Sequence, residues 1–476
     1  MNNIQTYQLE LNNFHIVEHN GRRVLLHVPS GGLFESDEVS ENLITELSEK
    51  NRFTLEDILN NSKDSSNKKN VGDRFSEFVS LDIIKPVGIP AVKPKVEIED
   101  FPLNTIVLNV NTGCNLSCTY CYKEDLDTPS NGRKMTFETA KESIDLLVNE
   151  SSGQEKLNVI FFGGEPLSNL KLIKKVIDYC DSQTTKKLNF DYSLTTNATL
   201  LNDETIEFLR ANNVGVSVSI DGPKAVHDRR RITVGGQGTY HVVVEKSKKL
   251  LARHNSRPIG ARVTLTKGYT NVVDIHNHLI NDIGFSEVGF APVTAGDVAT
   301  FNLSDQELRD VFDSMKELGL LYLENALKDV NIGFSNMHQL MTDLYEGRKK
   351  SVPCGAGLGL LAVDHKGGLN LCHRFTGSDL ETFGSVSEGI AKKELGEFIK
   401  KATDFEGKGC EQCHIRSLCA GGCYHESYSH FGDPHSPTYN YCDLLREWID
   451  FGIKVYLDIL EKNPAFLKKY IATRGK

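Results

Sequence analysis

From about residue 104 onward, short β-rich runs alternate with helical stretches, and this alternation strongly restricts the possible folds. The β-rich segments are TIVLNV, KLNVIFF, FDYSLTT, VGVSVSI, IGARVTL and EVGFAPV. Between the first two, Phe137, Ala140, Ile144 and Leu147 share one helical face. Six such units predict an α/β domain with a parallel sheet, either open and doubly wound or a partial barrel. In both architectures ligands bind at the carboxyl ends of the strands.

The segment before this alternation is predicted to be a separate unit. FHIVEHNGRRVLLHV alternates apolar and polar residues on either side of Asn20 and Gly21, which predicts a β-hairpin. Three helical patterns follow, VSENLITELS, TLEDILNN and RFSEFVSLDII, with a polar break at NNSKDSSNKKNVG. The prolines in VGIPAVKPKVEIEDFP favour extended backbone and mark a linker. We therefore expect three domains, at residues 1–97, 98–345 and 346–476.

Composition limits the class of protein and its partners. The N-terminus, MNNIQTYQLE, lacks a charged leader followed by an apolar run, and no apolar stretch approaches the roughly 18 residues of a membrane span. We therefore expect a cytoplasmic protein with no membrane partner. Its 11 cysteines then lie in a reducing environment, where clustered cysteines bind metal or act in catalysis more often than they form disulfides. The net charge of −10 argues against nucleic acid as a partner.

Three cysteines, Cys114, Cys118 and Cys121, follow the first predicted strand. A four-iron cluster held by three thiolates keeps one iron free to bind a small molecule, which would make this a catalytic site. Two other interpretations stay open at this point. The segment could hold a redox pair made by Cys118 and Cys121, or a zinc ion with a fourth ligand from elsewhere in the chain.

With Tyr120 inside it, the motif resembles the Cys-x3-Cys-aromatic-x-Cys signature of the radical S-adenosylmethionine (SAM) enzymes. The resemblance implies a partial (β/α)6 barrel, a [4Fe-4S] cluster on these cysteines and SAM bound to the open iron. In that family, reductive cleavage of SAM yields a 5′-deoxyadenosyl radical. The segments FFGGEP, TTNATLL and SIDGP, each after its strand, match further positions of the family. The cofactor-binding residues implied in this way are Tyr120, Gly163, Gly164, Glu165, Thr196, Asn197 and Ser219.

The arginines of HDRRR, residues 227–231, allow two interpretations. Adjacent arginines most often form a solvated face. One of them could instead pair with the cofactor carboxylate, and Arg231 is our candidate.

Seven cysteines lie beyond Ser351 among glycine-rich turns, which suits a loop-rich fold organised around metal. Their spacing is too close for a zinc ribbon and resembles the SPASM domain, an auxiliary-cluster module of radical enzymes that modify peptides. The resemblance implies two further [4Fe-4S] clusters, three in total. The distal cluster would be held by Cys410, Cys413, Cys419 and Cys442. The proximal cluster would be held by Cys354, Cys372 and Cys423.

The proximal cluster lacks one expected ligand. Leu360 stands where the sulfatase maturases have a fourth cysteine, so the last iron would take His373 or a substrate thiolate. Cys180, in the helical segment VIDYCDSQ, is expected to be a buried structural thiol.

The N-terminal unit resembles the winged-helix-like peptide-recognition element of enzymes that modify ribosomally made peptides. Such elements bind a leader peptide by adding a strand to a sheet edge. A structural cap on the barrel is the alternative. The segments LHVPSGGLFE, CTYCYKED and CHRFTG are most similar to the maturases that form thioether cross-links in the small subunit of quinohemoprotein amine dehydrogenase.

That resemblance implies a small Cys-rich substrate protein, an external electron donor, and a bond between a Cys sulfur and a methylene carbon of Asp or Glu. A base must keep the sulfur deprotonated, and Asp221, followed by Asp228, is our candidate. Three other functions remain open. They are thioether formation at an α-carbon, oxidation of Cys or Ser as in the sulfatase maturases, and a zinc-stabilised binding protein without catalysis.

Overall fold

The computed structural model describes residues 5–61, 65–88, 102–122, 132–185, 188–293, 300–436 and 441–471. Most of the predicted linker falls on residues 89–101 and so lies outside the described residues. The N-terminal elements are β1 (Tyr7–Leu9), β2 (Phe14–His19), β3 (Arg22–His27), β4 (Gly32–Glu35), α1 (Glu38–Ser48), α2 (Leu55–Asn61), α3 (Ser65–Ser80) and β5 (Ile84–Pro86).

The predicted hairpin is present as β2 and β3, which pair in antiparallel register around Asn20 and Gly21. Both turn residues have positive φ angles, 51° and 73°, as a two-residue hairpin turn requires. Two features were not predicted. Strand β4 adds a third, edge strand to this sheet, and β1 pairs with β5 to close the unit.

The third helix is longer than predicted. Helix α3 begins at Ser65, so part of the segment predicted as a polar break is helical. Phe75 and Phe78 are buried and Val71 packs against the same core, with Leu47 and Ile58 on the facing helices. Because these apolar side chains recur at helical spacing, burial stabilises the helix although its mean sequence is polar.

The central domain contains all six predicted strands. Its elements are β6 (Thr105–Asn111), α4 (Phe137–Asn149), β7 (Lys156–Gly163), α5 (Leu170–Gln183), β8 (Asn189–Thr196), α6 (Asp203–Ala211), β9 (Gly215–Ser219), α7 (Lys224–His227), α8 (Tyr240–Arg253), β10 (Gly260–Leu265), α9 (Val272–Asn277), β11 (Glu287–Pro292), α10 (Asp305–Ala326) and α11 (Ser335–Tyr345). A π-helical turn, His278–Ile283, follows α9.

Strands β6 to β11 pair in parallel and in chain order. A doubly wound sheet would reverse its strand order at a switch point, and this sheet does not. The sheet is therefore the partial barrel, and the loops after its strands meet at one edge.

The C-terminal elements are β12 (Leu360–Val363), β13 (Leu369–Asn370), β14 (Gly384–Ser385), β15 (Gly389–Ile390), α12 (Lys392–Thr403), α13 (Arg416–Cys419), α14 (Tyr424–Phe431), α15 (Cys442–Lys462) and α16 (Pro464–Phe466). A second π-helical turn, Leu467–Ile471, ends the described chain.

Strand β12 joins the central sheet beside β6 in parallel register, and β13 pairs with it antiparallel, so the sheet has eight strands. Leu361, Ala362 and Val363 are almost fully buried, and this burial stabilises the added strand. Helix α15 packs against α10 and α11. The cysteine-rich tail is thus packed directly on the barrel. In the described part of the chain, no helix combines the length and hydropathy needed to cross a membrane.

Candidate active site

The three motif cysteines lie in the loop that follows β6, at the carboxyl edge of the sheet. Each is partly buried. Burial is the main cause that raises the pKa of the Cys114 thiol to about 12, and the nearby Glu165, Cys118 and Cys121 contribute to this increase. Burial also raises the pKa of Cys118, with Arg231 opposing it. The loop therefore brings the three thiols together in a poorly solvated region.

This loop is attached by its backbone to the segment that follows α7. Ser117 N donates to Ile232 O at 2.8 Å, and Thr119 N donates to Arg230 O at 3.0 Å. The cysteine loop is therefore held against the arginine segment. Tyr120 of the loop and Arg231 of the segment are 111 positions apart in the chain.

Two glycines at the end of β7, Gly163 and Gly164, pack tightly on the same loop. Gly164 N donates to Asn111 O at 2.7 Å, and Glu165 N donates to Gly113 O at 3.2 Å. A Cβ atom at Gly164 would lie 2.2 Å from Gly113 O, and one at Gly163, where φ is +141°, would lie 2.2 Å from Asn111 O. Only glycine fits either position.

The fully buried Glu165 carboxylate links this turn to the end of β8. It accepts hydrogen bonds from Leu167 N at 3.0 Å, from Thr196 Oγ1 at 2.8 Å and from Asn197 N at 2.8 Å. Burial raises the pKa of Glu165, and these hydrogen bonds and Arg231 oppose the increase. Asn197 Nδ2 lies 3.6 Å from the Cys114 sulfur. Three predicted cofactor residues, Glu165, Thr196 and Asn197, are thus brought together beside the cysteines.

Tyr120 lies between two buried charged side chains. Its hydroxyl donates to Asp221 Oδ2 at 2.7 Å and accepts from Arg231 Nη1 at 2.6 Å. Asp221 is 2% exposed and also accepts from Thr264 N at 3.1 Å. Burial raises the pKa of Asp221, and Arg231 opposes the increase. Arg229 is exposed, as expected for a solvated face, but Arg231 is only 7% exposed.

The fully buried His227 connects this network to α8 and was not singled out from the sequence. Its Nδ1 accepts from Asp221 N at 3.4 Å, and its Nε2 lies 3.0 Å from Thr239 Oγ1. Thr239 Oγ1 itself donates to Arg231 O at 2.8 Å. Burial lowers the pKa of His227 to about 3, so the ring is neutral, with its proton on Nε2.

Two other predicted residues have contacts of a different kind. Asp228 accepts hydrogen bonds from Lys224 Nζ at 2.7 Å and from Tyr240 N at 2.8 Å. It therefore joins α7 to the start of α8. Ser219 is the last residue of β9 and pairs in register with Arg262 of β10.

The seven tail cysteines form two groups. Burial is the main cause that raises the pKa of Cys419 to about 11, and its neighbours Cys413, Cys442 and Cys410 contribute to this increase. Burial likewise raises the pKa of Cys354 to about 11, with additional contributions from Cys423 and Cys372. One group therefore has four thiols and the other three. Cys180 lies elsewhere, fully buried in α5, as predicted.

The spacing of the sulfur atoms bears on which metal group the cysteines could hold. Among the described residues, only His15, His414 and Asp450 form a group of three or more His, Cys, Asp or Glu ligand atoms within 4.8 Å of one another. Tetrahedral zinc with Zn–S bonds of about 2.3 Å would bring its sulfurs to within about 3.8 Å. In each cysteine group at least one pair of sulfurs is farther apart than 4.8 Å, which is compatible with a multi-iron cluster, in which each sulfur binds a different iron.

A contact between side chains connects the motif loop to the three-thiol group. The Arg374 guanidinium lies 5.1 Å from the centre of the Tyr122 ring, which directly follows Cys121. The pKa of Arg374 is raised above its usual value: burial lowers it, but the nearby Tyr122, Cys423, Glu426 and Cys372 raise it by more. Sequence reasoning missed this contact because neither residue belongs to a ligand motif.

The partly buried carboxylate of Glu426 lies beside the same group and was also missed. Burial raises its pKa to about 7, and Arg374 and a hydrogen bond from Tyr441 oppose the increase. Its neighbourhood includes Cys423, whose pKa it raises. His373, the predicted alternative ligand, has its ring 4.2 Å from that of Phe162 near the end of β7.

The profile of the radical SAM superfamily matches residues 108–283. This range contains the three cysteines, both glycines and the network around Tyr120. The chain is a radical SAM enzyme. Its reaction therefore uses a [4Fe-4S] cluster and SAM. The residues of the site fit these groups in two respects. Three thiols stand together after β6, as the cluster needs, and the buried Nε of Arg231 beside them has no hydrogen-bond partner.

Two curated relatives match most of this radical SAM enzyme. The radical SAM cyclopropyl synthase TigE of Paramaledivibacter caminithermalis is 24% identical over 451 residues, covering 89% of this chain and 90% of that protein. The cysteine-type anaerobic sulfatase-maturating enzyme of Clostridium perfringens is 24% identical over 373 residues, covering 75% of this chain and 98% of that protein.

Two solved structures share the fold. The native anSMEcpe structure with bound AdoMet has a TM-score of 0.65 and 22% identity, and it covers 76% of this chain and all of that chain. Streptococcus suis SuiB bound to its precursor peptide SuiA has a TM-score of 0.51 and 15% identity, and it covers 92% of this chain and 99% of that chain. At these identities the likeness is one of fold.

Proposed function

We propose that this radical SAM enzyme matures a small Cys-rich protein by joining Cys sulfurs to methylene carbons of Asp or Glu. The proposed substrate is the small subunit of quinohemoprotein amine dehydrogenase. The observation that carries the proposal is the three-thiol group, Cys354, Cys372 and Cys423, next to the motif loop. Three protein thiolates on a four-iron cluster leave one iron for a substrate thiolate, close to the site where a radical would form.

The residues around the motif fit a [4Fe-4S] cluster and SAM. Cys114, Cys118 and Cys121 would hold the cluster. The turn at Gly163 and Gly164 would bring backbone close to the amino group of SAM, with the Glu165 carboxylate, Thr196 and Asn197 shaping that wall. Arg231 would pair with the SAM carboxylate through its unpaired Nε edge, because guanidinium groups bind carboxylates well. Ser219, at the end of β9, would lie near the ribose.

When bound, these groups supply a 5′-deoxyadenosyl radical that takes one hydrogen atom from the substrate carbon. Joining that carbon to sulfur also requires the thiol to lose a proton and the new bond to release one electron. The seven tail cysteines would hold auxiliary clusters, which would supply a one-electron acceptor near this site, and an external acceptor would take up the electron in the end. Each cross-link thus removes two hydrogen atoms from the substrate.

Asp221 remains our candidate for the base that takes the thiol proton, because burial raises its pKa. Asp228 is already bound to Lys224 and to the start of α8. Glu426 is a second candidate, since its pKa of about 7 suits proton uptake and it lies beside Cys423.

The N-terminal unit would bind the substrate's leader. Strand β4 is an edge strand, and its Phe34 is 39% exposed, so it offers an apolar side chain beside unpaired backbone groups. A small cavity beside it is lined by residues of α1, α3 and β3, including Ser40, Arg74 and Leu25. An extended peptide can add a strand to such an edge through main-chain hydrogen bonds.

The test is an anaerobic reaction of the iron-loaded enzyme with SAM, a reductant and a small Cys-rich protein encoded beside this chain. We expect the product to lose two hydrogens per cross-link and to lose one alkylatable thiol with each. Deuterium placed on the Asp and Glu methylene carbons should appear in 5′-deoxyadenosine. Transfer from an α-carbon, or a product with all its thiols free, would refute the methylene thioether.

A second candidate is oxidation of a substrate Cys or Ser, favoured by the match to the sulfatase-maturating enzyme over 98% of its length. Its product would react with carbonyl reagents and contain no cross-link. A zinc-stabilised binding protein is disfavoured by the sulfur spacing, and it would produce no 5′-deoxyadenosine.

A further inference from the structure

A group of three side chains lies where the N-terminal unit meets the cysteine-rich tail. His15 belongs to β2, Asp450 belongs to α15, and His414 directly follows Cys413. The Nε2 atoms of His15 and His414 lie 3.3 Å and 3.2 Å from the same oxygen, Asp450 Oδ1. The two imidazole rings stack with their centres 3.9 Å apart.

Both contacts to Asp450 lie at or just beyond the long end of the hydrogen-bond range, and the one from His414 is a hydrogen bond of 3.2 Å. Hydrogen bonds between charged groups are about 2.7–2.9 Å long. The same interface offers an internal comparison, because His19 Nε2 lies 2.7 Å from Asp458 Oδ2. The contacts to Asp450 are longer, and they approach the separation of about 3.3 Å between ligand atoms bound tetrahedrally at about 2.0–2.1 Å from a metal ion.

We propose that His15, His414 and Asp450 bind one divalent first-row transition ion, with zinc as the preferred ion. Two imidazole nitrogens and one carboxylate oxygen are a donor set that zinc accepts, with water in the fourth position. The side chains are 30%, 19% and 31% exposed, so an ion and its water can reach the site. The ion would connect β2 to the tail and lies outside the radical chemistry, so this inference does not depend on the proposed function.

The interface has other contacts that would hold it without the ion. Arg416 Nη1 donates to Asn12 O at 2.7 Å, and Arg416 Nη2 donates to Asn13 Oδ1 at 2.8 Å. Replacing one ligand should therefore leave the two units docked. We avoid His414 as a test position because it adjoins Cys413.

The experiment compares the iron-loaded wild type with His15→Ala, Asp450→Asn and His19→Ala. Each protein is equilibrated with a small excess of zinc chloride and desalted, and its zinc and iron are measured by mass spectrometry. We expect the wild type and His19→Ala to retain about one more zinc per chain than the other two variants, with equal iron in all four. Zinc should also raise the thermal midpoint of the first two proteins only, because an ion bound to the folded state stabilises it.

Equal zinc in the wild type and in both ligand variants would overturn the proposal. So would an equal loss in His19→Ala, since that variant removes a His–Asp contact at the same interface without touching the three ligands. A wild type that retains no zinc beyond the ligand variants would show that the three side chains form only a polar contact.

Discussion

The Tyr120 hydroxyl donates a 2.7 Å hydrogen bond to Asp221, although the two residues are 101 positions apart in the chain. The bond connects the cysteine loop after β6 to the end of β9. Arg231 donates to the same hydroxyl, so Tyr120, the aromatic residue of the motif, forms hydrogen bonds to one acidic and one basic side chain at once. Its role in this structure is therefore more than packing beside the iron ligands.

We expect Tyr120→Phe to reduce 5′-deoxyadenosine formation by roughly 10- to 100-fold. It removes hydrogen bonds to two buried charged groups, and the expected factor corresponds to about 1.4–2.7 kcal/mol, close to the contribution of one such bond. The rate should be measured across SAM concentrations in protein of equal iron content. Tyr240→Phe is the matched control, since that hydroxyl contacts His278 on the outer helices. Equal effects of the two substitutions would contradict the role given to Tyr120.

Gly164→Ala should displace the cysteine loop, because the added Cβ would meet Gly113 O at 2.2 Å. Relieving such an overlap typically costs about 1–3 kcal/mol. We expect iron retention or SAM cleavage to fall by about tenfold or more. Gly396→Ala is the control, because it lies in α12 with no atom within 4 Å of the added Cβ. That substitution should be neutral or slightly stabilising, by at most about 1 kcal/mol.

The two groups of tail thiols predict separable losses of iron. Cys442→Ala should remove about four irons and Cys354→Ala about four different ones, if each group holds a four-iron cluster. The double substitution should then lose about eight. Cys180→Ala, which changes a buried thiol of α5, should keep the wild-type iron content. Identical iron content in all variants would refute the assignment of the tail cysteines.

Stability should fall with decreasing pH because of His227. Burial lowers its folded-state pKa to about 3, whereas the unfolded residue titrates near 6.5. Below pH 6.5 the unfolded state therefore binds more protons, and the free energy of unfolding decreases by up to about 1.4 kcal/mol per pH unit. Urea unfolding at pH 6.5 and 5.5 should show this decrease in the wild type. It should be smaller by about 1 kcal/mol in His227→Gln, and parallel curves would refute the argument.

Phe34→Lys should weaken binding of the substrate leader without changing SAM cleavage in the absence of substrate. A charge on the exposed edge strand opposes the addition of another strand. We expect the dissociation constant of a fluorescent leader peptide to rise by about tenfold or more. Leu11→Lys provides a control, because that side chain is 62% exposed outside the three-stranded sheet. If both substitutions weakened leader binding to a similar degree, the added positive charge alone would explain the effect, and binding at the β4 edge would be contradicted.

The regular parts of the fold were predictable because their signals are local. Each of the six barrel strands is a short apolar run, and the hairpin follows from Asn20 and Gly21. Two elements were not predictable in this way. Strand β4 is short and half exposed, and β12 pairs with β6 across more than 250 residues of intervening chain. No local pattern encodes that pairing.

The sequence by itself determined the chemistry available to this enzyme: the cysteines, their spacing, and the order of glycines and polar residues after successive strands. Covalent order and local periodicity are enough for those inferences. Only the tertiary structure decided which charged groups are buried together. Arg231 is buried whereas Arg229 is exposed, and Glu426 lies beside a cluster cysteine whereas Asp228 is bound to Lys224. These differences arise because burial and electrostatic interactions depend on distances through space and not along the chain. The same holds for His15, His414 and Asp450, which come from three separate segments.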